Sequence, residues 1–545
     1  MSAAESSTGL PAVGPPSAFA PLRQRLFALI WIATVLGNVG SFMRDVASAW
    51  LVTDLSTSPL AVSAIQAAGT LPAFLLAIPA GVLSDILDRR HLLIGILCCL
   101  AAVSALLSLL AATGNTSVES LIILTFLGGT GAALAAPSWQ AIVPELVSKA
   151  DLRSAVALNS LGFNVARATG PALGGLLVAT LGAAVTYTFD MVSDLVVIAV
   201  LLLWKRNAMG DDALRERFGS AMRAGLRYAR ASAAMRSLLV RAVLFFVGAS
   251  SVWSLLPIVA RRDLGGGPGL YGLLLGSVGV GAIVGALTMP RMRRALGQDG
   301  LLIGAMLATG LVTGLMATID TVELAIGATF ILGMAWIAVL TTMNGTVQSI
   351  LPDWVRGRGL AIYMTAQGAG MTAGSLGWGF LASEVGTDTA LLCAAAFLVV
   401  LGLATLVRRV ALPTGDDDLS PANHWADPDL HEMPENDRGP VLVTIAYDVA
   451  AHDRPAFLAT INRLSEERRR DGAYAWGIME DAARPERLVE WFFVESWAEH
   501  LRQHRRVSKA DADIQSDLRA FHHGDKPPIV THLLGLDHRS GHPAR

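Results

Sequence analysis

The chain has 545 residues, enough for three or four soluble domains. With 53% hydrophobic and only 16% charged residues, it lacks the charge to solvate such surfaces, so most of it faces lipid. The net charge of −2 selects no partner, because the charges are segregated along the chain, and no nucleic-acid partner is expected.

The first residues, 1–22, are rich in Ser, Ala and Pro and read as a disordered tail. The apolar run after Arg23 and Arg25 is too long for a signal peptide, lacks a small-residue cleavage site and is followed by more such runs, so it reads as a retained first span. A membrane helix needs about 20 mostly apolar residues. Twelve runs meet that length: 26–53, 58–82, 91–112, 118–142, 155–181, 184–204, 238–260, 270–289, 300–319, 322–346, 357–383 and 387–407.

Basic residues occupy alternate connections. They are Arg89 and Arg90, Lys149 and Arg153, a run from Lys205 to Arg236, then Arg291, Arg293 and Arg294, then Arg356 and Arg358, and finally Arg408 and Arg409. The intervening connections hold only Arg261 and Arg262. This asymmetry predicts that both termini lie in the cytoplasm and that the span count is even. A long sixth connection, 205–237, separates one six-helix bundle, 23–204, from a second, 238–410. Its stretch RFGSAMRAGLRYARASAAMRSLL sets Phe218, Met222, Leu226 and Tyr228 among arginines, which suits either an amphipathic helix on the inner membrane surface or a basic connector. The halves also repeat. GVLSDILDRR from Gly81 matches GALTMPRMRR from Gly285, and GPALGGLLVATL from Gly170 resembles GMTAGSLGWGFL from Gly370. Two six-helix repeats of the same topology describe a secondary transporter.

The connection between spans 2 and 3 supplies Gly81, Leu83, Asp85, Arg89, Arg90 and Leu93. This resembles the signature of the major facilitator superfamily, with Asp88 where most members have Gly. That variant is similar to the enterobactin exporters and transmembrane secretion effectors. The resemblance covers spans 1–12 and implies alternating access. In it, the charges around Asp85 latch the halves in one state and release them in the other, and Gly81 lets helices approach closely. In span 5, Gly170, Pro171, Gly174 and Gly175 resemble the core of the motif typical of exporters and antiporters, although Ala157 and Ala166 stand where the fuller pattern has Gly. Span 4 lacks the buried arginine usual in proton-coupled drug antiporters.

An ionisable group at membrane depth costs at least ~2.5 kcal/mol, so each one is a candidate for coupling or substrate. Asp190 and Asp194 in span 6 are four residues apart and share a helix face. Arg44 and Asp45 in span 1 point about 100° apart. Arg167 in span 5 is a candidate partner for Asp190 or Asp194. Gln140, Trp139 and Asn344 are weaker cavity candidates.

Cys98, Cys99 and Cys393 lie inside apolar runs and promise neither disulfide nor metal site. Ten of the eleven histidines follow residue 420, which marks a different kind of domain. An acidic, proline-bearing linker, 411–439, leads to a βαββαβ pattern over 440–537 and a short tail, 538–545. The order is ferredoxin-like, and its segment Ser496, Trp497, Glu499, His500, Leu501, His504 resembles the antibiotic-biosynthesis-monooxygenase-like fold, a dimeric α+β barrel. That resemblance implies a homodimer through this domain. His500 and His504 share a helix face, but no carboxylate or cysteine at metal-site spacing completes them.

The expected protein is therefore an all-α membrane bundle of twelve helices with a soluble α+β domain, sited in the cytoplasmic membrane. It is not an enzyme and takes no cofactor or metal. It exports a small amphipathic organic compound, of drug or siderophore class, with protons as coupling ion. The alternatives are a bifunctional transporter whose cytoplasmic domain is oxygenase-like, and a sensor without turnover.

Overall fold

The computed structural model describes residues 19–148, 150–204, 218–407 and 438–536. Most of the predicted N-terminal tail, Lys149, the first part of the central connection, nearly all of the acidic linker and the closing tail lie outside the described residues. The chain divides into two compact units. The first comprises Met1–Gly210, Leu244–Val339 and Gln367–Arg408, and the second Asp211–Val243, Leu340–Ala366 and Arg409–Arg545.

Twelve α-helices precede the linker: α1 Arg25–Leu55, α2 Pro59–Ile86, α3 Arg89–Thr113, α4 Val118–Leu146, α5 Leu152–Leu181, α6 Ala183–Leu203, α7 Phe218–Ala231, α8 Ala233–Ile258, α9 Pro268–Met316, α10 Val322–Ile350, α11 Asp353–Val385 and α12 Thr387–Val407. Among the described residues, nine of these are long and apolar enough to cross a membrane. The eighth and ninth expected spans follow one another inside α9, separated by a break at Gly297 (φ 70°, ψ 178°) that a Cβ-bearing residue rarely adopts. Local signals set the helix ends. Pro59 and Pro268 open α2 and α9, where a missing N–H costs nothing. Ser117 and Ser120 form a reciprocal capping box on α4. Gly114 (φ 69°) closes α3 in the left-handed conformation.

In the first unit, the core runs through Trp50, Tyr187, Leu255, Tyr271, Met316 and Leu391, so it is shared by helices of both sequence halves. Trp50 stacks on Tyr271 with ring centroids 6.2 Å apart, and the Arg261 guanidinium lies 5.6 Å above the Trp50 ring. Arg261 also donates to Thr53 Oγ1 at 2.9 Å and pairs with Asp54. Nearby, Ser383 Oγ accepts from Leu60 N at 3.1 Å, and the hydroxyls of Thr70 and Thr372 meet at 2.9 Å. The two halves are thus joined where the α1–α2 connection and the start of α2 meet the segment before α9 and the second half of α11.

The exporter-like motif of α5 lies on this junction. A Cβ on Gly170 would come 2.7 Å from Phe42 Cβ, and one on Gly174 would come 2.8 Å from Met43 Cα, both on α1. Gly175 turns to α9, where its added Cβ would lie 2.7 Å from Gly272 Cα. Gly272 answers at 2.6 Å from Pro171 O, and Gly279 at 2.4 Å from Ala168 Cα. Between Gly175 and Gly272 the helix backbones touch because neither side carries a side chain.

The second unit contains β1 Val441–Asp448, α13 Arg454–Asp471, β2 Ala475–Asp481, β3 Arg484–Val494, α14 Trp497–Arg506, α15 Lys509–Ala520 and β4 Ile529–Leu534. The sheet is antiparallel throughout, in the order β2-β3-β1-β4. Alternate residues Val441, Val443, Ile445 and Tyr447 of β1 turn inward with Phe492 and Val494 of β3, against Phe457, Ile461 and Leu464 of α13. Glu490 is also inward and fully buried. It accepts from Arg468 Nε at 2.9 Å and Trp476 Nε1 at 3.0 Å, which repays its desolvation. The opposite face carries Leu442, Met479, Val489, Trp491, Phe493, Ile529 and Leu533 by register.

Valine at Gly272 should destabilise the chain by about 1–3 kcal/mol through overpacking. Valine at Gly304, where an added Cβ meets nothing within 4 Å, should not. Thermal melts of the purified variants in detergent check this, and equal melting temperatures would refute the close α5–α9 contact.

Candidate functional site

Three ionisable groups of the first unit, Arg44, Asp190 and Asp194, lie together. Asp190 on α6 is fully buried, Asp194 one turn on is 3% exposed, and Arg44 on α1 is 6% exposed. Arg44 Nη1 donates to Asp190 Oδ2 at 2.9 Å, and Ser104 Oγ of α3 donates to the same oxygen at 2.6 Å. Two glycines make room. A Cβ at Gly40 would lie 2.8 Å from Asp190 Oδ1, and one at Gly128 of α4 would lie 3.6 Å from Arg44 Cζ. Asp190 Oδ1 and Asp194 Oδ2 have no hydrogen-bond partner among the described residues, so the cluster keeps unused acceptor capacity. Next to it, Ser48 and Tyr187 share a hydrogen bond of 3.1 Å.

Asp45 points elsewhere. Arg44 Nη2 reaches its Oδ1 at 3.4 Å, yet the Asp45 side chain is 61% exposed while the Arg44 side chain is 8% exposed. Asp45 also lies within electrostatic range of Tyr271 on α9. The neighbouring residues of α1 therefore divide: Arg44 goes into the packed interior of the first six helices, and Asp45 towards α9.

Arg167 was a candidate partner of Asp190 or Asp194, but Arg44 holds Asp190 instead. Arg167 is half-buried on α5, next to Ala168, which touches Gly279 of α9. Asn344 bonds its own helix at Leu340 O. Sequence reasoning missed Ser104, Gly40 and Gly128 because a lone serine or glycine in an apolar helix carries no local signal of its distant partner.

In the connection between α2 and α3, Arg89 Nη1 pairs with Glu145 Oε1 of α4 at 2.7 Å. Arg90 donates to the carbonyls of Leu201 (2.9 Å) and Leu202 (2.8 Å), the C-terminal turn of α6, where a cation complements the helix dipole. Asp88, the residue in the usual glycine position, caps α3 by accepting from His91 N at 3.0 Å. The side chain of Asp85 lies outside the described ones. Gly81 corrects an expectation: an added Cβ there meets nothing within 4 Å, so it serves no close helix approach in this structure.

The central connection forms a second cluster, within the second unit. Arg227 of α7 pairs with Glu499 of α14 at 3.1 Å, and Arg223 with Glu495 at 3.2 Å. Tyr228 donates to Ile350 O at 3.0 Å, and the Arg506 guanidinium sits 4.2 Å above the Trp354 ring. Burial alone would raise the Glu499 carboxyl, but Arg506 at 2.6 Å, together with Arg227 and Arg502, holds it below the usual carboxylate range. The basic face of the amphipathic stretch is engaged by glutamates of the C-terminal domain.

A helical bundle with two related halves, a buried intramembrane ion pair and a basic turn between its second and third helices defines a major facilitator-type secondary transporter. Residues 16–540 match the transmembrane secretion effector family, and the chain belongs to it. It is 25% identical to the multidrug efflux pump Tap of Mycolicibacterium fortuitum, over 69% of this chain and 94% of that protein. It is 23% identical to the staphyloferrin A transporter of Staphylococcus aureus, over 61% and 83%. It is 22% identical to macrolide efflux protein A of Streptococcus pyogenes, over 48% and 65%. Among solved structures, the nucleoside transporter NupG superposes with a TM-score of 0.58 at 13% identity, over 71% of this chain and 99% of that one.

Asp190→Asn should cost roughly 3–5 kcal/mol, because it leaves Arg44 buried beside a neutral amide. Adding Arg44→Gln should recover part of that loss. Melting of the single and double variants in detergent tests the coupling, and simply additive losses would refute it.

Proposed function

We propose that the chain is a twelve-span exporter of a small amphipathic organic compound, working by alternating access and driven by protons. The observation that carries this reading is Asp45: an accessible carboxylate in the middle of a membrane helix, beside a buried Arg44–Asp190–Asp194 cluster with unused acceptor oxygens. Such a carboxylate takes up a proton or a cationic group from one side and releases it to the other once the halves rock. Arg167, with no ion pair among the described residues, supplies the complementary charge for an anionic part of the substrate. The relatives named for multidrug and macrolide efflux and for a siderophore support this substrate class.

The excess of arginine in alternate connections supports a reading with the α2–α3 turn, α7 and the C-terminal domain in the cytoplasm and the α1–α2 connection outside. The halves meet near that outer connection. The α5 motif, Gly170, Pro171, Gly174 and Gly175, forms the pivot there, and Arg89 and Arg90 tie α3 to α4 and α6 at the cytoplasmic end. The linker ends the membrane part near residue 410. Beyond it the strand order β2-β3-β1-β4 and the βαββαβ sequence support a ferredoxin-like domain, whose apolar outer face suits a second copy of this chain. Met479, Ile529 and Leu533 on that face are each more than half exposed.

Efflux of fluorescent amphipathic dyes from cells expressing the chain should fall to background when the proton gradient is collapsed. Asp45→Asn should have the same effect at unchanged expression. Efflux that survives collapse of the gradient would overturn the proton-driven reading. Glu499→Gln should slow efflux several-fold while leaving the melting of the membrane part unchanged, because α7 then loses its ion pair to α14. Full activity of that variant would show the contact to be incidental.

A further inference from the structure

The second unit contains a cluster that the transport reading does not use. His500 and His504 lie one turn apart on α14, and register turns His532 of β4 towards the same side as the inward residues of β1. His500 Nε2 and His504 Nε2 are 3.1 Å apart. One ligand nitrogen from each of the three histidines falls within 4.8 Å of the others. Ring centroids separate by 4.6 Å for both the 500–504 and the 500–532 pairs, and Trp497 packs against His500 and His532 at 5.2 and 5.8 Å.

We propose that His500, His504 and His532 form a binding site for a divalent first-row transition metal of the imidazole-preferring class, with zinc as its simplest occupant. Three nitrogens at the usual zinc–imidazole distance stand about 3.3 Å apart. The 500–504 pair already has that spacing, and His532 closes the triangle by a small ring rotation. His500 is 1% exposed and Gln503, on the same helix, is wholly buried, so an ion bound here lies largely out of reach of bulk water.

The charge state suits the role. Burial first, then the neighbouring imidazoles and Arg468, push His500 down to about 3, and burial also lowers His532. Both shifts favour the neutral ring, the form that binds metal. The nearby acid, Glu490, is held by Arg468 and Trp476, so it lies outside the ligand set. Three neutral donors leave the metal its double positive charge and an open position, as in His₃ zinc centres. That position takes water, the Gln503 carbonyl oxygen or an anionic oxygen ligand. His504 and His532 are half-buried, which gives the ion a path in from solvent. The site stands on its own geometry and does not depend on the proton-driven reading.

The test uses the full chain, purified in detergent without a histidine tag and stripped with chelator, with ZnCl₂ titrated by calorimetry. One saturable zinc per chain is expected. His532→Ala should weaken it by more than the 10- to 100-fold typical of losing an outer-shell partner. His452→Ala, at an exposed histidine of the same domain, should leave it unchanged. Should His532→Ala not fold, His504→Gln carries the same expectation. Absence of stoichiometric binding, or binding equal to wild type in the folded histidine variants, would overturn the site. Zinc-dependent melting of the wild-type chain that disappears in either variant would confirm it independently.

Discussion

Everything in the membrane part depends on keeping one arginine charged in a low-dielectric interior. Arg44 is all but sealed from solvent, so it needs a carboxylate within hydrogen-bond distance, and Asp190 supplies it from 146 residues further along the chain. Satisfying that pair fixes α1 against α6, admits Ser104 from α3 and requires glycine at position 40. Once α1 is fixed in rotation, its next residue, Asp45, has only one direction left. The placement of the accessible carboxylate is thus a by-product of satisfying the buried one.

Hydropathy and loop charge made the bundle legible in the sequence, because each is a local property summed over about 20 residues. The expected runs recur as helices with ends displaced by a few residues. Pairing was not legible. Arg167 and Arg44 look equivalent in sequence as partners for Asp190, and only the relative rotation of α1, α5 and α6 decides between them. The same applies to the basic turn after α2. Its arginines were readable as a motif, but the use of Arg90 as a cap on the carbonyls of α6 and of Asp88 as a cap on α3 depends on where those helix ends meet. Gly81 shows the converse: a motif glycine with open space beside it in this structure.

The C-terminal domain was legible as alternating strands and amphipathic helices because it folds around a single face of period two. Its polar interior was not. The pairing of Arg468 with Glu490 joins a helix to a strand whose residues alternate inward unseen until register is known. Likewise, His500 and His504 announce a helix face, whereas His532 joins them only through the β1–β4 pairing. Helix α14 consequently carries two sets of obligations, imidazoles towards the sheet and Glu499 and Arg506 towards α7 and Trp354.

The meeting of Gly175 with Gly272 has a mechanical meaning beyond closeness. Most helix contacts interlock, with ridges of side chains seated in grooves, so that one helix moves past another only by jumping between seatings. Here backbone lies on backbone, and there is nothing to unseat. Such a contact behaves as a plain bearing: it keeps two rods at a fixed distance while leaving them free to roll. A protein whose halves must tilt thousands of times without separating has good use for a joint whose resistance to rotation is set by its smallest residues.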